Sequence, residues 1–106
     1  HLIYGGEGDP KYKVGGAKPG DLVMRALDRA QESLRSGVTS LRDLGGKDFL
    51  EFAVRDACNS GRQLGPTILA AGQMICMTGG HGNAFGRVAD GPQEVIKAVR
   101  EQVMQD

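Results

Sequence analysis

Tryptophan is absent from this chain, and aromatic residues of all kinds make up only 5% of its 106 residues. Cysteine and histidine occur twice each, so little of the usual material for metal sites or redox chemistry is present. An excess of charge is missing too. Thirteen basic and thirteen acidic residues cancel, so no net field draws the chain toward nucleic acid or an anionic membrane surface. No apolar run approaches the roughly 18 residues of a membrane helix, and no basic-then-apolar leader opens the sequence as given. Cys58 and Cys76 lack the Cys-x-x-Cys spacing of a zinc knuckle or redox pair. Both lie in apolar surroundings, so buried free thiols in a reducing compartment are favoured over a disulfide. A cytoplasmic location is the resulting expectation, with a leader ahead of His1 left open.

Glycine is the residue in excess, at 17 copies, several of them paired as Gly5-Gly6, Gly15-Gly16, Gly45-Gly46 and Gly79-Gly80. Such pairs mark loops with demanding backbone conformations. Neither the G-x-G-x-x-G nor the P-loop spacing occurs. With 25% charged and 40% apolar residues the chain has the composition of a folded soluble protein. Its length allows one modest domain.

Periodicity then sets out the elements. His1-Leu2-Ile3-Tyr4 reads as the tail of a strand, and residues 5–20 as a long glycine-rich loop. Leu22, Val23, Ala26, Leu27, Ala30 and Leu34 fall at helical spacing from Asp21, with Gly37 placed as a left-handed cap. Residues 38–44 read as a short strand closed by Gly45-Gly46. Asp48 is positioned to cap a second helix carrying Leu50, Ala53, Val54 and Ala57, which Gly61 stops. Thr67-Ile68-Leu69-Ala70-Ala71 is continuously apolar, as in a parallel strand buried on both faces. Asp90 and Gln93 have capping-box spacing before a third helix, whose apolar face is Val95, Ile96, Val99 and Val103. Strands alternating with helices predict an α/β fold with a parallel sheet, either doubly wound or part of a (β/α)8 barrel.

His81 is the leading candidate for chemistry. It sits in Thr78-Gly79-Gly80-His81-Gly82-Asn83, between a strand and a helix, where α/β folds place their sites. The flanking glycines let backbone N–H groups approach a ligand. A loop histidine that merely bonds neighbouring backbone is the rival reading, and the two weigh equally. His1 is a weak metal signal alone, since zinc takes three or four ligands. Arg42-Asp43 can bind a substrate carboxylate, but a local ion pair steadying the loop is the favoured account. The charged helix faces read as solvated surface.

Three blocks together resemble a known superfamily: residues 37–46 (GVTSLRDLGG), residues 65–72 (GPTILAAG) and residues 78–82 (TGGHG). They look like the metal-dependent amidohydrolases, in the branch of Xaa-Pro dipeptidases and lysine or arginine carboxypeptidases, with imidazolonepropionase-like cyclic amidohydrolases nearby. The resemblance implies a (β/α)8 TIM barrel, of which residues 1–106 would be an N-terminal part with about three helices, truncated at both ends. It implies a divalent metal, zinc by expectation, that activates water to hydrolyse amide or peptide C–N bonds. His1-Leu2 resembles the second histidine of the superfamily's metal-binding His-x-His pair and its following leucine. The remaining ligands, a lysine, two histidines and an aspartate, would lie beyond Asp106. His81 would contact substrate, a small peptide or amide. The rival of a different class is an inactive α/β piece that only folds or self-associates, and a homo-oligomer is expected.

Overall fold

The computed structural model describes residues 1–4 and 14–106, so most of the expected glycine-rich loop, residues 5–13, lies outside the described residues. Helix α1 spans Pro19–Arg35. It begins two residues before the expected Asp21 because Pro19 takes a first-turn position, where a missing N–H costs nothing. Its apolar spacing buries Leu22, Ala26 and Ala30. Gly37 adopts the anticipated left-handed conformation, φ +104°. Its N–H donates to the Leu34 carbonyl and that of Val38 to the Ser33 carbonyl, both at 3.0 Å, which closes the orphaned helix end.

Strand β1 (Ser40–Asp43), helix α2 (Leu50–Asn59) and strand β2 (Thr67–Ala70) follow. The two strands pair in parallel from Ser40 opposite Thr67 to Asp43 opposite Ala70. A single bridge between Gly46 and Gln73 carries the pairing past the strand ends. One hydrophobic core joins α1, α2 and the sheet through Leu22, Ala26, Ala30, Val54, Cys58 and Ile68, with Leu2 and Ile3 completing it. The fold is mixed α/β with parallel strands, as the alternation predicts.

Several sequence expectations are corrected. Residues 2–4 form a turn rather than a strand tail, because their backbone groups bond to side chains and not to a neighbouring strand. Strand β2 is covered on one face only: Ile68 is fully buried while Leu69 is 57% exposed. Two further strands, β3 (Ile75–Cys76) and β4 (Arg87–Val88), pair in parallel. The His81 loop therefore connects β3 to β4 and does not lead straight into a helix. Asp48 does not cap α2; Phe49 stands at the cap, and both have left-handed backbones (φ +52° and +58°).

Helix α3 (Pro92–Gln105) starts where expected, but without the Asp90–Gln93 capping box. Asp90 instead accepts from the N–H and hydroxyl of Thr78, while Glu94 reaches back to the Asp90 N–H at 2.7 Å. Its apolar stripe does not face a core: Val95, Ile96, Val99 and Val103 are between 39% and 71% exposed. Ala98 is the residue it buries. Polar contacts attach it, with Arg87 forked onto Glu101, Gln102 accepting from the Gln73 N–H at 2.7 Å, and Arg55 paired with Asp106.

The edge of β2 is served by a side chain. Asn59 donates to the Ile68 carbonyl at 2.9 Å and accepts from the Ile68 N–H at 2.8 Å, standing in for a neighbouring strand. Asn59→Ala strips both partners from Ile68. It is expected to cost about 1–2 kcal/mol, read as a lower urea midpoint at unchanged slope.

Candidate active site

The C-terminal ends of β1 and β2 gather the polar residues, the end at which parallel α/β folds place ligands. Asp43 closes β1 and is 1% exposed. Its Oδ2 accepts from the Leu2 N–H at 3.3 Å and its Oδ1 from the Gly45 N–H at 3.2 Å. The expected Arg42–Asp43 ion pair does not form, because consecutive strand residues point to opposite faces and Arg42 points outward into solvent.

His1 is fixed above this strand end. Its Nδ1 lies 2.9 Å from the Gly45 carbonyl oxygen. A carbonyl only accepts, so Nδ1 carries the proton, and in the neutral ring Nε2 is the basic nitrogen. Asp43 Oδ1 is 3.8 Å from Nδ1, an ion pair only when the ring is protonated. The His1 ring then meets Tyr4 edge-on at 6.2 Å, and Tyr4 meets Phe85 at 5.2 Å. That row of rings joins the first segment to the loop between β3 and β4.

His81 lies in that loop and is exposed. The loop is internally bonded: Asn83 Oδ1 accepts from the Gly79 N–H at 2.9 Å, and Thr78 is tied to Asp90. Gly82 has φ +82°, with Met74 Sδ lying where a Cβ would stand. No ring contact or hydrogen bond links His81 to His1 among the described residues. The structure thus brings His1 into a polar cluster and leaves His81 at a separate loop tip.

No group of three His, Cys, Asp or Glu side chains is placed to hold an ion among the described residues. Asp43 is already bonded to two backbone N–H groups, and His1 adds a single imidazole, short of the three or four donors an ion needs. Cys58 is buried and its thiol is pushed up by that burial, while Cys76 is half-buried; both are free, as expected.

The residue that sequence reading passed over is Glu51. It is fully buried, and neither carboxyl oxygen has a hydrogen-bond partner among the described residues. Its carboxyl occupies the space a side chain at Gly46 would need. Burial pushes its pKa up, against the opposing pull of its own backbone N–H, while the negative charge of Asp43 raises it further and Arg55 lowers it. Tyr4 is raised as well, by burial first and then by Asp48, Glu51 and Asp43. Glu51 falls on the helical stripe beside Leu50 and Val54, and an acidic residue on an apolar face was the available signal.

No protein-family model matches the chain. Ochratoxinase of Aspergillus niger is 30% identical over 131 residues, covering 97% of this chain and 27% of that protein. A Xaa-Pro dipeptidase solved with methionine bound in its active site matches with a TM-score of 0.77 and 30% identity, over 90% of this chain and 27% of that one. A prolidase complexed with N-methylphosphonate-L-proline gives 0.72 and 30%, over 84% and 26%. The chain spans about a quarter of the length of the relatives it matches. A solved amidohydrolase matches likewise, with a TM-score of 0.71 and 30% identity over 83% of this chain and 26% of that one, as a fragment of that superfamily would.

Glu51 gives stability a particular pH dependence. A carboxyl raised above its ordinary value of 4.5 in the folded state holds its proton more tightly there than when unfolded. That stability is full below the unfolded pKa and is lost as pH rises through the folded one. Glu51→Gln, which cannot ionise, is expected to abolish this fall and to be more stable than the parent at neutral pH. Urea unfolding at a series of pH values checks it, and parallel curves for the two proteins would refute it.

Proposed function

We propose that this chain forms part of a (β/α)8 barrel enzyme that hydrolyses amide or peptide C–N bonds, of dipeptidase or carboxypeptidase type. The observation that carries the reading is His1, held by the Gly45 carbonyl through Nδ1–H and so presenting Nε2 at the C-terminal end of a parallel strand pair. The relatives named as a Xaa-Pro dipeptidase and a prolidase support a small peptide as substrate. A cyclic amide, as in imidazolonepropionase-like enzymes, is the alternative substrate.

A divalent ion needs three or four donors. The described residues do not assemble them, so His1 would be a single ligand within a site completed elsewhere. What the chain itself does is orient and bind. Gly45 and Asp43 fix the tautomer and plane of His1. His81, on a loop braced by Asn83 and Asp90, would meet the substrate as a hydrogen-bonding group.

Two outcomes follow. The 106 residues on their own are expected to hydrolyse no dipeptide above background, with or without added zinc; chelator-sensitive turnover by a pure sample would refute this. In an enzyme carrying these residues within a complete barrel, His81→Ala is expected to lower kcat/KM at least about tenfold, roughly 1.4 kcal/mol. An unchanged kcat/KM returns His81 to a backbone-bonding role.

The exposed stripe of α3 favours a second reading for the 106 residues alone. Val103 is 71% and Met104 75% exposed, and apolar area left in water costs about 25 cal/mol per Å2. A second copy of the chain, offering the same stripe about a two-fold axis, is the proposed cover. Sedimentation at micromolar concentration is expected to show a dimer or larger species that Val103→Lys disperses.

A further inference from the structure

Of the four methionines, Met24, Met77 and Met104 are 59%, 66% and 75% exposed, while Met74 is half-buried. Its backbone is pinned, because its carbonyl accepts from the Arg87 N–H at 2.7 Å. Its side chain spans the gap between the segments that carry His1 and His81. On one side is the turn that holds His1. The point where a Cβ on Gly45 would stand is 3.5 Å from Met74 Cβ and 3.8 Å from His1 Cε1. On the other side is the His81 loop. Met74 Sδ lies where a Cβ on Gly82 would stand, and the Phe85 ring borders the same point at 3.5 Å. Met77 meets the other glycine beside His81, with its Cγ 2.9 Å from the Cβ position of Gly80. Met74 is thus the side chain in contact with both the His1 turn and the His81 loop.

A thioether packs as an apolar group, but hydroperoxides convert it to a sulfoxide, which is polar and disrupts apolar packing. We propose that Met74 is an oxidative modification site, at which a hydroperoxide uncouples the His81 loop from the turn that holds His1. A lone pair on Sδ attacks one oxygen of hydrogen peroxide, and the O–O bond breaks as the S–O bond forms. The sulphur gives up two electrons, the proton on the transferred oxygen passes to the departing one, and water leaves. The new oxygen has no room on the Gly82 side, where sulphur and glycine already touch, and apolar packing offers it no donor. The loop gives way, because Met74 is tied to Arg87 and the Gly45 turn to His1 and Asp43. This deepens the amide-hydrolase reading, on which its consequence for turnover rests, by naming a regulation of that site. The displacement itself does not require turnover.

The test is a time course of the 106-residue chain in hydrogen peroxide. Peptide mass spectrometry reads the sulfoxide at each methionine, and 1H–15N spectra read the turn and the loop. Met24, Met77 and Met104 are expected to oxidise first, as their exposure dictates, with the Gly45 signal still in place. The Gly45 and Gly82 signals are then expected to give way to a new set in proportion to the Met74 sulfoxide. Met77→Leu should leave that proportion intact. Met74→Leu keeps the volume without the sulphur, and it should lose the response while its other methionines oxidise. Met74→Gln, which puts a polar group at the same point, should show the displaced set without peroxide. A Met74 that stays a thioether once the other three are sulfoxides would overturn the proposal. So would a Met74 sulfoxide that leaves Gly45 and Gly82 unmoved, or a response that persists in Met74→Leu. The time course of the parent chain decides the matter even where a variant fails to fold. Because nothing here reads turnover, failure leaves the hydrolase reading standing, and absence of hydrolysis leaves this one standing.

Discussion

The buried carboxylate of Asp43 is the constraint on which the rest of this molecule hangs. A carboxylate taken out of water must be compensated by donors. Asp43 finds them in the N–H groups of Leu2 and Gly45, from two segments that no strand pairing joins. One bond fixes the first residues of the chain against the end of β1, and the other shapes the Gly45 turn whose carbonyl orients His1. From the other side Arg29, on α1, donates to the carbonyls of Leu2 and Ile3. The first segment is thus clamped by its backbone between an anion and a cation, and Leu2 and Ile3 enter the core as a consequence.

Glu51 shows the opposite economy. Asp43 is buried with its partners, while Glu51 is buried with none among the described residues, and the two repel if both are charged. A protonated Glu51 removes the repulsion and most of the desolvation cost. Gly46 is what makes room for it, since any side chain there would overlap the carboxyl. The Gly45-Gly46 pair therefore has two separate causes: a φ of +156° that turns the carbonyl toward His1 at one residue, and free space above a buried acid at the other.

What was legible in the sequence follows the length scale of each signal. Helices α1 and α2 repeat their apolar spacing over several turns, so Leu22, Ala26, Ala30 and Val54 could be assigned to a core in advance. The parallel pairing of β1 and β2 followed from alternation with helices. Strands β3 and β4, two residues each, carry no period to detect. The left-handed Asp48-Phe49 turn was hidden because Asp48 reads equally as a cap, and the choice was made by where the Phe49 ring could pack. Of the site, His1 was named from resemblance, but its Asp43–Gly45 support and the Tyr4–Phe85 row depend on contacts between residues far apart in sequence, His1 with Gly45 being 44 positions apart, which local pattern does not encode.

The two halves of the molecule are held by different physics, and this bears on how the site behaves. Helices α1 and α2 are attached by apolar burial, whose contributions accumulate over a shared core. Helix α3 buries Ala98 and otherwise depends on Arg87–Glu101, Arg55–Asp106 and the Gln102–Gln73 bond, with its apolar stripe in water. Exposed or half-exposed ion pairs are worth little each. An element held this way should open at lower free energy than the core. Gln73 lines a cavity beside Tyr4, and Arg87 ends the loop that carries His81 and Phe85. Loosening of α3 would therefore reach the Tyr4–Phe85 rings and the His81 loop first, while the clamp of Asp43 and Arg29 keeps His1 in place.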